Sequence, residues 1–242
     1  MKLRIAGLIV SALAAAPAAA LTVLTEENPP LNFSEGGRIT GAATAVVTEM
    51  GRRSGVPLTI SMSGWDEAYR RAQSGLDTCL YSTARLPARE RLFQWVGPIA
   101  TNRWAVYGRP DFAGTVAKLD DLKKYRLGGV KTDAKVTYLK EMSVVNILEW
   151  GSEREIAPKL ALPKTNADYI DLWISSVGAA PRVAKAAKLP DVKLVYVFRE
   201  LPVYLACSPQ VPKDTIAKLT QAIEAMTKDG TAAKLVEPFA GK

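Results

Sequence analysis

From residue 21 onward, apolar and polar positions alternate in short runs that switch between two periods. Leu21 to Thr25 alternates apolar residues with Thr and reads as a strand, and Glu26-Glu27-Asn28-Pro29-Pro30 breaks it into a loop. Ala42, Ala45, Val46 and Met50 recur at helical spacing, and Gly51 and Gly55 end that helix. Leu58 to Met62 reads as a second strand, Trp65 to Ser74 as a helix closed by Gly75, and Asp77 to Ser82 as a third strand. Strand-helix-strand-helix-strand within about 60 residues predicts a right-handed, parallel βαβ sheet.

A further apolar strand, Ile99 to Tyr107, runs into the breaker cluster Gly108-Arg109-Pro110-Asp111, which marks a crossing between two units. The second unit reads as a helical turn at Leu119–Lys124, a strand at Arg126–Val130, a helix at Ala134–Met142 and a strand at Val144–Glu149. It continues as a helix at Ser152–Leu162 containing Pro158, a strand at Ile170–Ser175, a helix at Ala179–Lys188 and a strand at Leu194–Phe198. Leu201 to Ser208 then runs back, Asp214 to Lys228 is a long amphipathic helix, and Asp229-Gly230-Thr231 stops it before one more short helix. The layout is α/β: two lobes, each a mixed, mainly parallel sheet flanked by helices. Lobe 1 is expected over residues 21–106, lobe 2 over 107–203, and a return to lobe 1 over 204–242. In open α/β sheets ligands sit beyond the C-terminal strand ends, so two facing units hold a ligand between them.

Composition adds a compartment. Lys2 and Arg4 precede a short apolar run, Ile5–Leu13, and Ala18-Ala19-Ala20 supplies small residues for cleavage after Ala20. Residues 1–20 therefore read as a secretory signal peptide, leaving 222 of the 242 residues as an exported, periplasmic chain. The formal net charge of +8 falls to +6 without Lys2 and Arg4, and the basic residues are spread along the chain instead of forming a nucleic-acid stripe. Cys79 and Cys207 are either one disulfide or two buried thiols. The chain has no His, which removes the commonest general base and zinc ligand. No catalytic residue, metal or cofactor is expected, and the chain is read as a binder and not an enzyme.

The densest chemistry lies in Arg85-Leu86-Pro87-Ala88-Arg89-Glu90-Arg91-Leu92-Phe93-Gln94-Trp95-Val96-Gly97-Pro98, a guanidinium-rich turn after an apolar strand. Arg presents a planar fork of donors that matches a carboxylate.

Several segments, in order, resemble the extracellular solute-binding proteins of amino-acid-type ABC importers, the bacterial family 3 (type II periplasmic-binding-protein) group. They are Gly37-Arg38-Ile39-Thr40-Gly41 before a helix, Trp65-Asp66 opening a helix with Gly75-Leu76-Asp77 after it, and Pro87-Ala88-Arg89-Glu90 followed by Phe93-Gln94-Trp95-Val96-Gly97-Pro98. Leu119-Asp120-Asp121-Leu122 and Ile170-Asp171-Leu172-Trp173 complete the set. The resemblance implies a two-lobed clamshell, acting as a monomer, that closes on a small polar, amino-acid-like solute and delivers it to an inner-membrane ABC permease, with no nucleic-acid partner. It implies Arg89 as the ligand's carboxylate anchor, with Arg85 and Arg91 as rivals, and Trp65 as the aromatic beside the ligand. Tyr81, Ser82 and Thr83 fall where the family offers hydroxyls or carbonyls, and Glu27 and Asn28 where a first-loop ligand contact usually lies.

The departures bear on the ligand. Where the family has a Gly-Ser/Thr-Thr turn at a helix start, this chain reads Lys131-Thr132-Asp133-Ala134. Thr132 and Asp133 are candidate contacts, and Asp133 would repel a second carboxylate or attract an ammonium. Amino-acid binders carry an acid five positions after the Asp of D-L-W, for the α-amino group; here that position is Ser176. Pro163 to Tyr169 reads as an extension. Two alternatives remain: an accessory protein that uses the fold to dock a secreted enzyme or sensor, and a periplasmic dehydratase or lyase with Glu27 or Asp133 as its acid.

Overall fold

The structure is a computed structural model that describes residues 20–239. The expected signal peptide lies, apart from Ala20, outside the described residues. The first half of the chain follows the hydrophobic pattern: β1 (Leu21–Thr25), a small hairpin of β2 (Phe33–Glu35) and β3 (Arg38–Thr40), α1 (Ala42–Ser54), β4 (Leu58–Met62), α2 (Trp65–Ser74) and β5 (Thr78–Ala84). β1 pairs in parallel with β4 and β5, as the βαβ pattern predicts. The hairpin is an addition, turned by Gly36 and Gly37, both at positive φ. Gly41 takes φ 122°, and a Cβ there would lie 2.4 Å from the Leu31 carbonyl oxygen, so only glycine lets α1 start against that loop.

A turn of 3-10 helix at Pro87–Leu92 leads into β6 (Gln94–Gly108). Then come β7 (Leu127–Val130), α3 (Ala134–Glu141), β8 (Ile147–Trp150), α4 (Glu153–Ile156), β9 (Leu172–Ser176), α5 (Ala179–Ala186), β10 (Lys193–Cys207), α6 (Lys213–Lys228) and α7 (Thr231–Val236). The helix expected over Ser152–Leu162 breaks after Ile156 into a 3-10 turn at Ala157–Ala161. Pro158, without an N–H to donate, does not sustain the α-helical ladder. The segments expected at Leu194–Phe198 and Leu201–Ser208 are one continuous strand.

All the longer strands join one eight-stranded sheet in the order β4-β1-β5-β10-β6-β9-β7-β8. β6 and β10, 15 residues each, run antiparallel from Lys193 opposite Gly108 to Cys207 opposite Gln94. β5 pairs with Val203–Cys207 at one end of this ribbon, and β9 pairs with Trp104–Tyr107 at the other. Each lobe thus hangs on its own end of a shared two-stranded hinge, whose register irregularities add bend and twist.

Each lobe is packed on both sheet faces. In the first lobe α1 and α6 bury Val46, Val47, Met50, Leu219, Ile223 and Met226 against Val23 and Leu205. On the other face α2 packs Ala68 and Ala72 against Leu24, Leu80 and Phe93. In the second lobe Tyr107, Ile156, Ile170 and Trp173 fill one side, and Leu122, Val136, Leu139 and Ile174 the other. A small cluster at the hinge, Ala84, Trp104, Ala134 and Leu201, closes the floor between the lobes. Cys79 and Cys207 face each other across β5 and β10 and form a disulfide, which selects one of the two readings of the cysteines. Among the described residues no helix is long and apolar enough to cross a membrane. The 163–169 segment is tied to the second lobe by Lys159 with Asp168 and by Arg126 with the Ala167 carbonyl.

Candidate functional site

The C-terminal ends of β1 and β5 and the start of α2 face the loop before α3 and the start of α4 across a cleft. Its deep end, over the hinge floor, is lined by Asn28, Trp65, Ser82, Arg89, Asn102, Trp104 and Lys135. Its outer end is a cavity of about 370 Å³ between Glu27, Ser63 and Gly64 of the first lobe and Ser152, Glu153, Arg154 and Val183 of the second. Glu26 and Trp65 line both ends and join them.

Arg89 sits in the 3-10 turn after β5 and is 8% exposed. Its guanidinium packs over the rings of Trp65 and Tyr69, at 5.3 and 5.1 Å from their centroids. Nη2 donates a long 3.4 Å bond to the Thr132 carbonyl across the cleft, and the buried Nη1 has no protein partner. A buried guanidinium nitrogen without an acceptor is costly unless something else supplies one. The two rival arginines are placed elsewhere: Arg85 pairs with Glu90 on the surface, and Arg91 is exposed.

The other residues expected at the site divide into two groups. Trp65, Asn28, Ser82, Glu27 and Asp133 line the cleft. Ser82 donates to Asn32, and its φ of 60° is matched across the cleft by Thr132 at 59°. Two non-glycine residues in the left-handed region face the same gap, a form of backbone strain that clusters at ligand sites. Thr132 also donates to Asp66 at the start of α2, so this turn bridges the lobes. Tyr81, Thr83 and Ser176 are not brought to the cavity walls. Tyr81 belongs to the first-lobe core and bonds Thr44, and Thr83 donates back to the Leu80 carbonyl. Alternation along β5 explains this, because neighbouring side chains point to opposite faces. Ser176 is buried at the end of β9, and its hydroxyl has no partner.

Three ionisable groups in the cleft were not singled out in the sequence. Lys135, in the first turn of α3, is buried and forms a 2.8 Å ion pair with Asp133, which also caps the helix through the Lys135 amide at 2.7 Å. Burial lowers its pKa, but the carboxylates of Asp133, Glu153 and Glu26 outweigh this and leave it above the usual lysine value. Glu26 is pushed up to about 8, mainly by desolvation and then by Asp133, against the pull of Lys135 and Arg89. Glu153 is raised to about 7, again mainly by desolvation, despite Lys135 and a bond from the Ser175 hydroxyl. Among the described residues no three acidic or thiol side chains are arranged to hold a metal ion.

The lobes also touch at the cleft's edge. Arg182 of α5 reaches Glu35 of β2 at 2.7 Å and lies 3.8 Å from the centre of the Phe33 ring. The geometry is a clamshell closed on a small polar space, with one guanidinium left short of an acceptor.

A family model described as bacterial extracellular solute-binding proteins, family 3, matches residues 21–242. An ancestral arginine-binding protein bound to glutamine is similar in structure, with a TM-score of 0.77, 21% identity, and coverage of 92% of this chain and 98% of that one. A histidine kinase sensor domain with similarity to periplasmic binding proteins has a TM-score of 0.79 at 16% identity, over 92% and 96% of the two chains. The arginine-, lysine-, histidine-binding protein ArtJ from Geobacillus stearothermophilus has a TM-score of 0.77 at 14% identity, over 93% and 96%. No curated protein matches the sequence.

Proposed function

The chain belongs to the bacterial extracellular solute-binding proteins of family 3, and from that premise we propose that it captures a small carboxylate-bearing solute between its lobes and hands it to an ABC importer in the inner membrane. The carrying observation is Arg89: a buried guanidinium at the junction of both lobes, with a free Nη1 beside the cleft. A carboxylate there completes the donor fork, and a charge-assisted pair of this kind contributes about 1.5–3 kcal/mol. Trp65 and Tyr69 hold the guanidinium in place from one lobe, and the Thr132 carbonyl meets it from the other. Ligand binding at such a point favours the closed form, which is the form a permease distinguishes from the open one.

The similar structures include proteins named for arginine, lysine or histidine binding, and also a sensor domain. Solute capture therefore serves import in this reading, and the same closure would serve signalling if the partner were a receptor.

One observation favours a second reading. Glu26 and Glu153, both raised towards or above neutrality, are groups able to give a proton at pH 7, as a dehydratase or lyase needs. We assign them to ligand holding: Glu153 already accepts from the Ser175 hydroxyl, and the neighbouring Asp133 carboxylate is taken up by the Lys135 amide and ammonium.

A thermal-shift panel of amino acids, polyamines, hydroxy and oxo acids and dicarboxylates tests the function. A ligand at 100 times its Kd should add about 2.7 kcal/mol of stability. At least one small carboxylate should raise the midpoint and be recovered unchanged after hours with the protein. A flat panel contradicts solute capture and favours a docking role; consumption of the hit favours the enzyme.

A further inference from the structure

Two carboxyls in the cleft have no counterion. Glu26, just after β1 in the first lobe, and Glu153, which opens α4 in the second, both line the outer cavity of about 370 Å³. Among the described residues no lysine or arginine nitrogen stands at ion-pair distance from either. The cations that line the cleft are committed or solvated. Lys135 pairs with Asp133 at 2.8 Å, Arg89 packs over Trp65 and Tyr69, and Arg154 is exposed to solvent. Glu153 accepts from the Ser175 hydroxyl at 2.9 Å, which leaves most of a carboxylate's acceptor sites open. The Ser63 hydroxyl, on the first-lobe wall of the same cavity, is buried without a partner. Buried carboxyls ionise readily only beside a cation, and burial holds both glutamates above the usual carboxylate range.

The demand for an anion lies at the other end. Arg89, 8% exposed and with Nη1 unpartnered, lines the deep end, which Glu153 does not reach. Glu26 and Trp65 connect the two ends. A ligand that completes Arg89 and also meets Glu153 therefore needs two opposite charges with a spacer between them. Met62, Val130 and Val183 give the outer cavity apolar surface against which such a spacer packs. Resting on the reading that the cleft holds a small solute, we propose that this solute carries an ammonium or guanidinium set apart from its carboxylate by a carbon chain, and that Glu26 and Glu153 receive the cation from opposite lobes while Arg89 takes the carboxylate. The two glutamates are then specificity-determining residues. An acid without the cation leaves both carboxyls uncompensated, and an amine without the carboxylate leaves Arg89 short of an acceptor. A cation held from both lobes also favours the closed form, because only closure brings the two carboxyls to one cavity.

The test is calorimetric titration of the exported chain with matched sets that share one carbon skeleton: 4-aminobutyrate, butyrate and butylamine; 5-aminopentanoate, pentanoate and pentylamine; lysine and norleucine. In the best-bound set the member with both the carboxylate and the distal amine should bind at least about tenfold more tightly than the members lacking either. A plain acid, or norleucine, that binds equally or better overturns the inference and leaves solute capture standing. Binding by no member of any set overturns the inference alone if another carboxylate of the thermal-shift panel stabilises the protein, and overturns both readings if that panel is flat. Glu153→Gln, which keeps the shape and the bond from Ser175, should weaken the distal-amine ligand about tenfold or more and leave its amine-free counterpart within about twofold. An unchanged ratio between the two ligands, in a variant with a wild-type far-UV spectrum and a cooperative melt, overturns the assignment to Glu153. If that variant does not fold, Glu26→Gln is read in the same way.

Discussion

Replacing Glu26 with Gln should stabilise the protein, and by an amount that grows with pH. The carboxyl has an ordinary pKa of 4.5 and is raised to about 8 in the folded chain, chiefly by desolvation. A raised carboxyl costs nothing below the unfolded value, where both states are protonated. The cost builds as pH rises from 4.5 and is complete above about 8, because only the unfolded state releases the proton freely over that window. At 1.36 kcal/mol for each tenfold change in proton affinity, the ceiling is roughly 4–5 kcal/mol. Glu26 retains some contact with water, so about half of that, ~2 kcal/mol, is the working figure. Glu26→Gln keeps the shape and cannot ionise. Urea unfolding of both proteins at pH 4.5, 7 and 9 should show nearly equal stability at the lowest pH and a variant about 2 kcal/mol more stable at the highest. A difference that stays flat across pH, or a variant less stable at pH 9, refutes the claim that the cleft desolvates this carboxyl.

Two other consequences are equally direct. The Cys79–Cys207 bond closes a separation of 128 residues, so the double Cys→Ala variant should lose about 2–5 kcal/mol in denaturant unfolding, and unchanged stability would contradict a formed disulfide. Arg182→Ala removes the ion pair to Glu35 and the contact with Phe33, together worth about 1 kcal/mol, so the lobes should open more often, solution scattering should show a larger radius of gyration, and ligand affinity should fall roughly fivefold; identical scattering and affinity would show that this contact does not hold the lobes together.

Much of the fold was legible because most of its elements are short and cleanly patterned. Leu21–Thr25 and Leu58–Met62 match their predicted limits, and Trp65–Ser74 ends at Gly75 as expected. The hinge was less so. One strand starts before Gly97-Pro98 instead of after it, and the other runs unbroken through Arg199-Glu200, the gap left between the two expected segments, in a long ribbon with shifted register. The anchor was legible through its motif, and burial then separates Arg89 from Arg85 and Arg91. Tyr81 and Thr83 were drawn in by proximity to Ser82, whereas the Tyr81 ring packs into the core and the Thr83 hydroxyl turns back to its own strand. Lys135 was missed because a helix-start lysine looks solvated from sequence alone. The available signal was an acidic N-cap two residues before a lysine in a turn already marked as facing the ligand. Glu26 and Glu153 carry no local signature at all, because their raised pKa values come mainly from burial, which only the folded cleft creates.

The measurement that bears most directly on solute capture is calorimetric titration of the best ligand from the panel into the wild-type protein and Arg89→Ala. If the ligand's carboxylate completes the free guanidinium nitrogen, the variant should bind about 10- to 150-fold more weakly while keeping a cooperative melt. Equal affinity in the two proteins would contradict the assignment of Arg89 as the anchor of the cleft.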